Sequence, residues 1–221
     1  FHSNQAFVSI MRDALESAGL PRDCVALVTD TTRQSAAELM NLTEYLDVLI
    51  PRGGAGLIKN VVENAKVPVI QTGVGVCHVY VHGEADLDMA ARIIHNAKTS
   101  RPSVCNAAEC LLVDRAVARD FLPMAWQLLQ TKNVELRGCP ETRAILGDFV
   151  VPASEEDWDT EFGDYILAVK VVGGFDEAVE FIHAHGTGHS EAIVTNNYFA
   201  AQQFLDQVDA AAVYVNASTR F

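Results

Sequence analysis

The feature that most limits the fold is the alternation of short apolar runs with segments of helical periodicity. Runs rich in Val, Ile and Leu, too short to form helices, are separated by segments whose apolar residues recur every third or fourth position. Strands that are joined through helices pair in parallel, and their right-handed crossovers cover both faces of the sheet. The sequence therefore predicts an α/β protein built on parallel β-sheet.

The predicted elements fall into an earlier and a later group. In the first third of the chain we expect helices at 4–18, 32–42 and 57–65 and strands at 25–29, 45–50 and 67–70. In the rest we expect strands at 76–81, 110–114, 148–151, 166–172, 191–195 and 212–215, helices at 86–97, 115–131, 175–185 and 198–208, and a loop at 152–164. This grouping indicates two successive α/β units.

The charge of the chain excludes some classes of partner. Its 221 residues include 16 Lys and Arg against 29 Asp and Glu, a formal net charge of −13. Because this charge repels a phosphate backbone and no basic run offsets it, we expect no nucleic-acid partner. No apolar stretch approaches the roughly 20 residues that span a bilayer, and no signal-peptide pattern opens the chain. We therefore expect no membrane partner and a cytoplasmic location, although the missing initiator Met and the abrupt last residues suggest that both ends are cut.

One of the five cysteines has surroundings unlike the others. Cys105 lies in a polar segment between Arg101 and Asn106, between a predicted helix and a predicted strand. A nearby cation could stabilise a thiolate, whose reference pKa of about 8.5 must fall for nucleophilic chemistry at neutral pH. From the residues alone, a catalytic and a structural thiol both stay open. The other four lie in or beside apolar runs and have no CxxC spacing, which favours buried thiols over disulfides or zinc: Cys24, Cys77, Cys110 and Cys139.

Two glycine-rich segments could approach a phosphate. The turn at 51–56 joins a predicted strand to a predicted helix, where free N–H groups and the helix dipole favour an anion. The turn matches neither GxGxxG nor a P-loop, so a plain tight turn is equally open. The segment 72–76 is as ambiguous.

Three further features carry candidate polar sites. His183, His185 and His189 form a cluster, but their spacing lacks the logic of a zinc-binding HExxH helix, so we expect no metal. Glu161 is a single acid in an acidic loop, where solvation is the simplest interpretation. Asn216 ends a predicted strand, a position that often borders a site in α/β folds.

Four segments together resemble one family: residues 49–58, 67–81, 96–107 and 215–221. They are similar to the gamma-glutamyl phosphate reductases, or glutamate-5-semialdehyde dehydrogenases, of the aldehyde dehydrogenase superfamily. The resemblance implies an aldehyde-dehydrogenase-like α/β fold with a Rossmann-like cofactor domain and an α/β catalytic domain. It assigns residues 1–71 to the later half of the NADP-binding domain and 72–221 to a catalytic cysteine domain that is incomplete at its C-terminal end.

The resemblance also implies roles for individual residues. It makes Cys105 the nucleophile and requires no metal. The residues that it assigns to the cofactor are His2, Ser3, Asn4, Pro51, Arg52, Gly53, Gly54, Gly73 and Glu161. Those beside the substrate are Arg101, Asn106, Asn216, Ser218 and Thr219.

Two positions depart from the family's pattern. Gln71 stands where the family usually has Glu, and Val76 where it usually has Asn. A carboxylate at position 71 would be nearest to the superfamily's general base. A reductase that starts from an acyl phosphate need not activate water to release its product, so Gln71 is compatible with that activity.

The reaction that the resemblance implies is reduction of L-glutamyl 5-phosphate by NADPH to L-glutamate 5-semialdehyde and phosphate, through a thioester on Cys105. It is the second step of proline biosynthesis from glutamate. A homo-oligomer of the full-length enzyme and a glutamate 5-kinase partner are further implications. The alternatives are an NAD(P)-dependent aldehyde-oxidising dehydrogenase, a non-catalytic interaction domain, and a cysteine hydrolase with a spatially close histidine.

Overall fold

The structure, a computed structural model, describes residues 1–71 and 73–220, with the backbone alone at position 55. The chain divides into two compact units, Phe1–Thr72 and Gly73–Phe221. Thr72, at the predicted domain boundary, and Phe221, at the end of the last family-like segment, lie outside the described residues. The role of each unit in a cofactor or catalytic domain stays a prediction.

The first unit is mainly helical in its described part. It contains α1 at His2–Ser17, α2 at Arg33–Leu39, α3 at Ala55–Asn64 and a short 3₁₀ turn at Arg22–Cys24. The three predicted helices are therefore confirmed, but the three predicted strands are wrong. Within residues 1–71, a single parallel bridge, between Leu49 and Val69, joins two of the apolar runs. Two short runs with no further pairing between them cannot form the extended hydrogen-bonded ladder that stabilises a parallel sheet.

The second unit confirms the predicted parallel α/β arrangement. Its described residues form a seven-stranded sheet in the order β4-β3-β5-β2-β1-β6-β7, and every pairing is parallel. The strands are β1 Cys77–Val81, β2 Ala108–Asp114, β3 Glu135–Gly138, β4 Val151–Pro152, β5 Ile166–Val172, β6 Ser190–Val194 and β7 Ala212–Val215. The helices are α4 Leu87–Thr99, α5 Ala118–Leu129, α6 Pro140–Leu146, α7 Phe175–His185 and α8 Tyr198–Gln207. Short 3₁₀ turns lie at Gln130–Lys132 and Glu155–Asp159.

The central strands explain why the sequence shows continuous apolar runs rather than alternation. Every residue of β1, β2 and β6 is buried, because helices cover both faces of a parallel sheet. The helices begin where the sequence supplies caps. The Asp86 carboxylate accepts from the Met89 amide at 2.9 Å at the start of α4, and the Asn197 side chain accepts from the Ala200 amide at 3.0 Å at the start of α8. No described helix is long and apolar enough to cross a membrane.

Two elements of the second unit were not predicted. Strand β3 is short and bears exposed or half-buried Glu135 and Arg137, so its apolar signal is weak. Helix α6 has Pro140 in its first turn and ends at Gly147, whose φ of 105° is left-handed. These signals are typical of helix ends and could have identified α6. The strand predicted at 148–151 overlaps the observed two-residue strand β4, Val151–Pro152, only at Val151.

Helix α8 offers a matched test of the core. Phe204 is fully buried, whereas Phe199 on the same helix is 77% exposed. We expect Phe204→Ala to lower the free energy of unfolding by about 3–5 kcal/mol, because it removes apolar contacts and leaves a cavity. Phe199→Ala should change it by less than about 0.5 kcal/mol. Urea denaturation of both variants measures the difference, and equal effects would contradict this packing.

Candidate active site

The candidate nucleophile lies at the amino edge of the second unit's sheet. Cys105 is exposed in a turn that immediately precedes β2, which begins at Ala108. Three other segments that precede strands meet this edge. The Val76 amide donates to Thr187 Oγ1 at 3.1 Å, which joins the segments before β1 and β6. The Gly163 amide donates to Glu109 at 3.2 Å, which joins the segment before β5 to β2.

The backbone of Cys105 is held tightly while its side chain stays accessible. The Cys77 thiol donates to the Cys105 carbonyl at 3.2 Å, and the Ala107 amide donates to the Val104 carbonyl at 2.9 Å. Burial, with Glu191 nearby, raises the pKa of the Cys77 thiol, so Cys77 stays protonated and able to donate. Gly75 packs so close that a Cβ there would lie 1.8 Å from the Cys105 carbonyl oxygen. This position therefore requires glycine.

A buried ion pair lies behind this turn. Lys98 of α4 and Glu109 of β2 are 0% and 1% exposed, and Lys98 Nζ lies 2.5 Å from Glu109 Oε2. Burial raises the pKa of Glu109 to about 7, although Lys98 favours its charged form. Burial also lowers the pKa of Lys98, against the pull of Glu109. Desolvation therefore outweighs the attraction within the pair.

A second buried pair joins His78 and Glu191, the second residues of β1 and β6. Glu191 Oε2 accepts from the His78 amide at 2.8 Å and lies 3.0 Å from His78 Nδ1. Burial disfavours a charge on His78, but the Glu191 carboxylate and the Cys110 sulfur outweigh it and raise the pKa of His78 to about 10. Glu191 Oε1 has no hydrogen-bond partner among the described residues.

This pair predicts a pH dependence of stability. Because the folded state raises the pKa of His78 from 6.5 to about 10, it binds the proton more tightly than the unfolded chain does. Its stabilisation is complete below about pH 6.5 and is lost as pH rises through about 10. We expect the difference in unfolding free energy between wild type and His78→Gln to shrink by a few kcal/mol over this range, measured by urea denaturation. A pH-independent His78→Gln difference would contradict the prediction.

The predicted substrate residues are only partly brought together. Arg220 Nη1 donates to Asn106 Oδ1, and the Arg220 amide donates to Ser218 Oγ at 3.1 Å. Thr219, between them, is fully buried, and its Oγ1 has no partner among the described residues. The segment after β7 therefore reaches the residue next to Cys105. Arg220 was not among the predicted binding residues, although it lies within a family-like segment.

Two other predicted substrate residues are placed differently. The Asn216 side chain is used locally: its Oδ1 accepts from the Thr195 amide and its Nδ2 donates to the Thr195 carbonyl, both at 2.9 Å. Asn216 also has a left-handed φ of 54°, which turns the chain after β7. Arg101 is exposed and has no hydrogen bond or ion pair within the described residues.

The predicted cofactor residues of the first unit surround two helix starts. Gly54 precedes α3 as its N-cap, no side chain caps this helix, and a Cβ at Gly54 would meet nothing within 4 Å. Gly53 has a φ of 156°, and Pro51 and Arg52 lead into it. An uncapped helix start with open backbone is a favourable site for a phosphate. The segment His2, Ser3 and Asn4 forms the exposed first turn of α1.

The remaining cofactor candidates belong to the second unit. Glu161 is half-buried in the segment before β5, two residues from the Gly163 amide that Glu109 binds. Gly73 is exposed, with open space where a Cβ would lie. The residues that sequence reasoning missed at this edge are Gly75, Lys98 and Glu109, whose signals were a glycine cluster and two charges beside apolar runs.

The histidine cluster separates in the structure. His183 Nε2 lies 3.0 Å from the Gln207 carbonyl, whereas His185 Nδ1 lies 2.7 Å from Asp159. His189 Nδ1 lies 2.9 Å from Ser190 Oγ. The three rings therefore contact three different segments of the chain. Among residues 1–71 and 73–220, no group of three or more His, Cys, Asp or Glu side chains is arranged to hold a metal ion.

Comparison with known proteins identifies close relatives. Gamma-glutamyl phosphate reductases of Halothermothrix orenii and Clostridium perfringens are 61% and 60% identical to this chain over 220 residues. The chain is covered completely but spans only 52% and 53% of these relatives. The similarity to gamma-glutamyl phosphate reductases, first inferred from four segments, is therefore confirmed, and this chain spans about half the length of those relatives.

Solved structures support the same similarity. The crystal structure of gamma-glutamyl phosphate reductase from Thermotoga maritima matches with a TM-score of 0.95 and 52% identity, over 99% of this chain and 53% of that one. An acetylating aldehyde dehydrogenase from Geobacillus thermoglucosidasius, 23% identical, matches with a TM-score of 0.72 over 97% of this chain and 55% of its own, and shares the fold. The predicted aldehyde-dehydrogenase-like α/β fold is confirmed. Because the sequence profile described as the aldehyde dehydrogenase family also matches residues 3–143, the chain belongs to the aldehyde dehydrogenase family.

Proposed function

We propose that this chain carries the nucleophile for NADPH-dependent reduction of L-glutamyl 5-phosphate to L-glutamate 5-semialdehyde and phosphate. The observation that carries the proposal is Cys105, an exposed thiol on a backbone held by Cys77 and Gly75. The relatives named gamma-glutamyl phosphate reductase supply the reaction class. The same reaction is the second step of proline biosynthesis from glutamate.

In the proposed mechanism the Cys105 thiolate attacks the acyl carbon of the substrate, and the acyl–phosphate bond breaks to release phosphate. The product of this step is a thioester on Cys105. A nicotinamide cofactor, when bound, would supply the hydride that reduces the thioester on Cys105 to a thiohemiacetal. Collapse of the thiohemiacetal regenerates the Cys105 thiol and releases the aldehyde.

The residues next to Cys105 suit this chemistry. An exposed thiol is open to the substrate, and the fixed backbone keeps the Cys105 amide in place as a donor to the developing oxyanion. Arg220, held against Asn106, places a guanidinium near the nucleophile, where an anionic substrate would be attracted. Arg101, on the turn that carries Cys105, is a second exposed cation that would attract the same anionic substrate.

The described residues fit a dinucleotide cofactor at the points where the resemblance assigns it. In the first unit, the uncapped start of α3 with the open backbone of Gly54 would hold a pyrophosphate. In the second unit, the half-buried Glu161 carboxylate would accept from a ribose hydroxyl. We propose NADPH as this cofactor.

The main competing function is aldehyde oxidation, in which water rather than phosphate releases the thioester. Gln71, in place of a carboxylate, offers no general base at the position where the resemblance would put one. The test is the reverse reaction of the full-length protein with glutamate 5-semialdehyde and NADP. Formation of NADPH that depends on inorganic phosphate supports the proposal, and formation that proceeds equally without phosphate or arsenate would overturn it.

The cellular setting follows from the same proposal. A cytoplasmic homo-oligomer that receives the labile acyl phosphate from a glutamate 5-kinase would fit the reaction. The support for the oligomer and the kinase partner is the family resemblance. Size-exclusion chromatography with light scattering of the full-length protein, alone and mixed with the kinase, measures both.

A further inference from the structure

The buried Glu109 carboxylate joins two parts of the candidate site. It lies on β2, four residues after Cys105, and is 1% exposed. Its two oxygens have different partners. Oε2 lies 2.5 Å from Lys98 Nζ, and Oε1 accepts from the Gly163 amide at 3.2 Å. Glu109 therefore links α4 and the nucleophile's strand to the segment before β5.

The segment that Glu109 binds carries Glu161. Gly163 has a φ of 62°, so a left-handed turn separates Glu161 from β5. Among the described residues, the other polar contacts of 160–165 reach β3 or stay local. The Arg137 guanidinium lies over the Phe162 ring, 5.0 Å from its centroid, and the Glu135 amide donates to the Tyr165 carbonyl at 2.8 Å. Thr160 Oγ1 donates to the Glu156 carbonyl, and the Tyr165 amide donates to Asp164. The hydrogen bond from Gly163 to Glu109 spans 54 positions in the sequence. Whereas the contacts of Arg137 and Glu135 lead to β3, this bond ties the turn to β2, the strand that directly follows Cys105.

The cost of burying the Lys98–Glu109 ion pair indicates that the pair does more than stabilise the fold. Burying a carboxylate and an ammonium removes both from water, and their attraction repays this only partly. The raised pKa of Glu109 and the lowered pKa of Lys98 are signs of that cost. Two apolar side chains of similar size would fill the same volume without the cost, but they would leave the Gly163 amide without an acceptor.

We propose that Glu109, held in place by Lys98, is a positioning residue that fixes the Glu161 turn relative to Cys105 and so sets how the cofactor's ribose is held. This inference rests on the proposed function, because it takes Glu161 as the carboxylate that meets the nicotinamide ribose. Glu109 itself is buried and acts only through the Gly163 amide.

The test uses paired substitutions in the full-length protein. A single Glu109→Ala change would leave Lys98 buried without its partner, and that variant is expected not to fold stably. The informative variants are therefore doubles that remove both charges. Lys98→Met with Glu109→Met removes the acceptor for Gly163, whereas Lys98→Met with Glu109→Gln retains an acceptor of nearly the same shape.

Two measurements distinguish positioning from general stability. We expect the Met–Met variant to bind NADPH on the order of tenfold more weakly in a fluorescence titration, and to show faster amide exchange at 160–164. The Met–Gln variant should restore both to within about threefold of wild type. Alkylation of Cys105 by iodoacetamide should be unchanged in both, because the thiol and its own backbone contacts are retained.

The outcomes separate this inference from the proposed function. Slow exchange at 160–164 in the Met–Met variant, or equal losses in both double variants, would overturn the positioning role. If wild-type protein binds NADPH but does not reduce the acyl phosphate, the proposed reaction is overturned. The amide exchange at 160–164 would still test the role of Glu109. Tight NADPH binding in the Met–Met variant despite fast exchange would show that the turn does not set the cofactor site, which would also overturn the inference.

Discussion

Cys105→Ala in the full-length protein is expected to lower the rate of acyl-phosphate reduction by at least about four orders of magnitude. Without the thiolate no thioester can form, and the cofactor's hydride has no activated acceptor on the enzyme. NADPH affinity and the free energy of unfolding should stay close to wild type, because the Cys105 side chain is exposed. Steady-state kinetics, a binding titration and urea denaturation measure the three quantities.

Cys24→Ala is the matched control, since Cys24 is also an exposed free thiol but lies in the first unit. It should retain wild-type turnover. Incubation of wild type with the acyl phosphate in the absence of NADPH should add one glutamyl group to Cys105, detected by mass spectrometry of the intact protein and its peptides. A Cys105→Ala variant with more than a small fraction of wild-type turnover would refute the assignment of the nucleophile.

Gly75→Ala is expected to have the second large effect. The new Cβ would lie 1.8 Å from the carbonyl oxygen and 2.7 Å from the carbonyl carbon of Cys105, so the backbone of one segment must move. Such overpacking costs about 1–3 kcal/mol or more of stability. Because the displaced group is the nucleophile's own peptide, turnover should fall further than the loss of stability explains, by about a hundredfold.

Gly73→Ala is the matched control for stability, because a Cβ at Gly73 would meet nothing within 4 Å. Its unfolding midpoint should match that of wild type. The rate of Cys105 alkylation reports the local displacement, and it should change in Gly75→Ala alone. A Gly75→Ala protein with wild-type stability and alkylation rate would contradict the close approach of the two segments.

Local sequence patterns predicted most helices and strands of the second unit, but the strands that they predicted in the first unit are not observed. Helix α7 was predicted at 175–185 and is observed at Phe175–His185, because acidic residues in its first turn and a regular apolar stripe both mark it. The apolar runs at 45–50 and 67–70 have the same residue types as real strands, yet they contribute one bridge. Strand formation depends on neighbouring strands, and residue type does not report whether neighbours exist.

Prediction of the site was limited in a different way. The polar surroundings of Cys105 marked it as a candidate, and the family resemblance gave it a role. Gly75 and Glu109 were not singled out, because a glycine cluster and a charge beside an apolar run have many ordinary explanations. Asn216 was predicted beside the substrate partly from its place at a strand's end, but its amide binds Thr195. Asn216 follows strand β7, whereas Cys105 precedes strand β2 and so lies at the amino edge of the sheet.

The parallel α/β class, the order of most elements in the second unit and the candidate nucleophile could all be predicted from the residues, because periodicity, capping and local polarity are properties of neighbouring residues. The groups that surround the nucleophile become known only from the folded chain. The contacts from Cys77 to Cys105, from Glu109 to Gly163 and from His78 to Glu191 span 28, 54 and 113 positions. Such contacts form where parallel strands bring their amino ends to one edge, and strand order is a property of the assembled sheet rather than of any local segment.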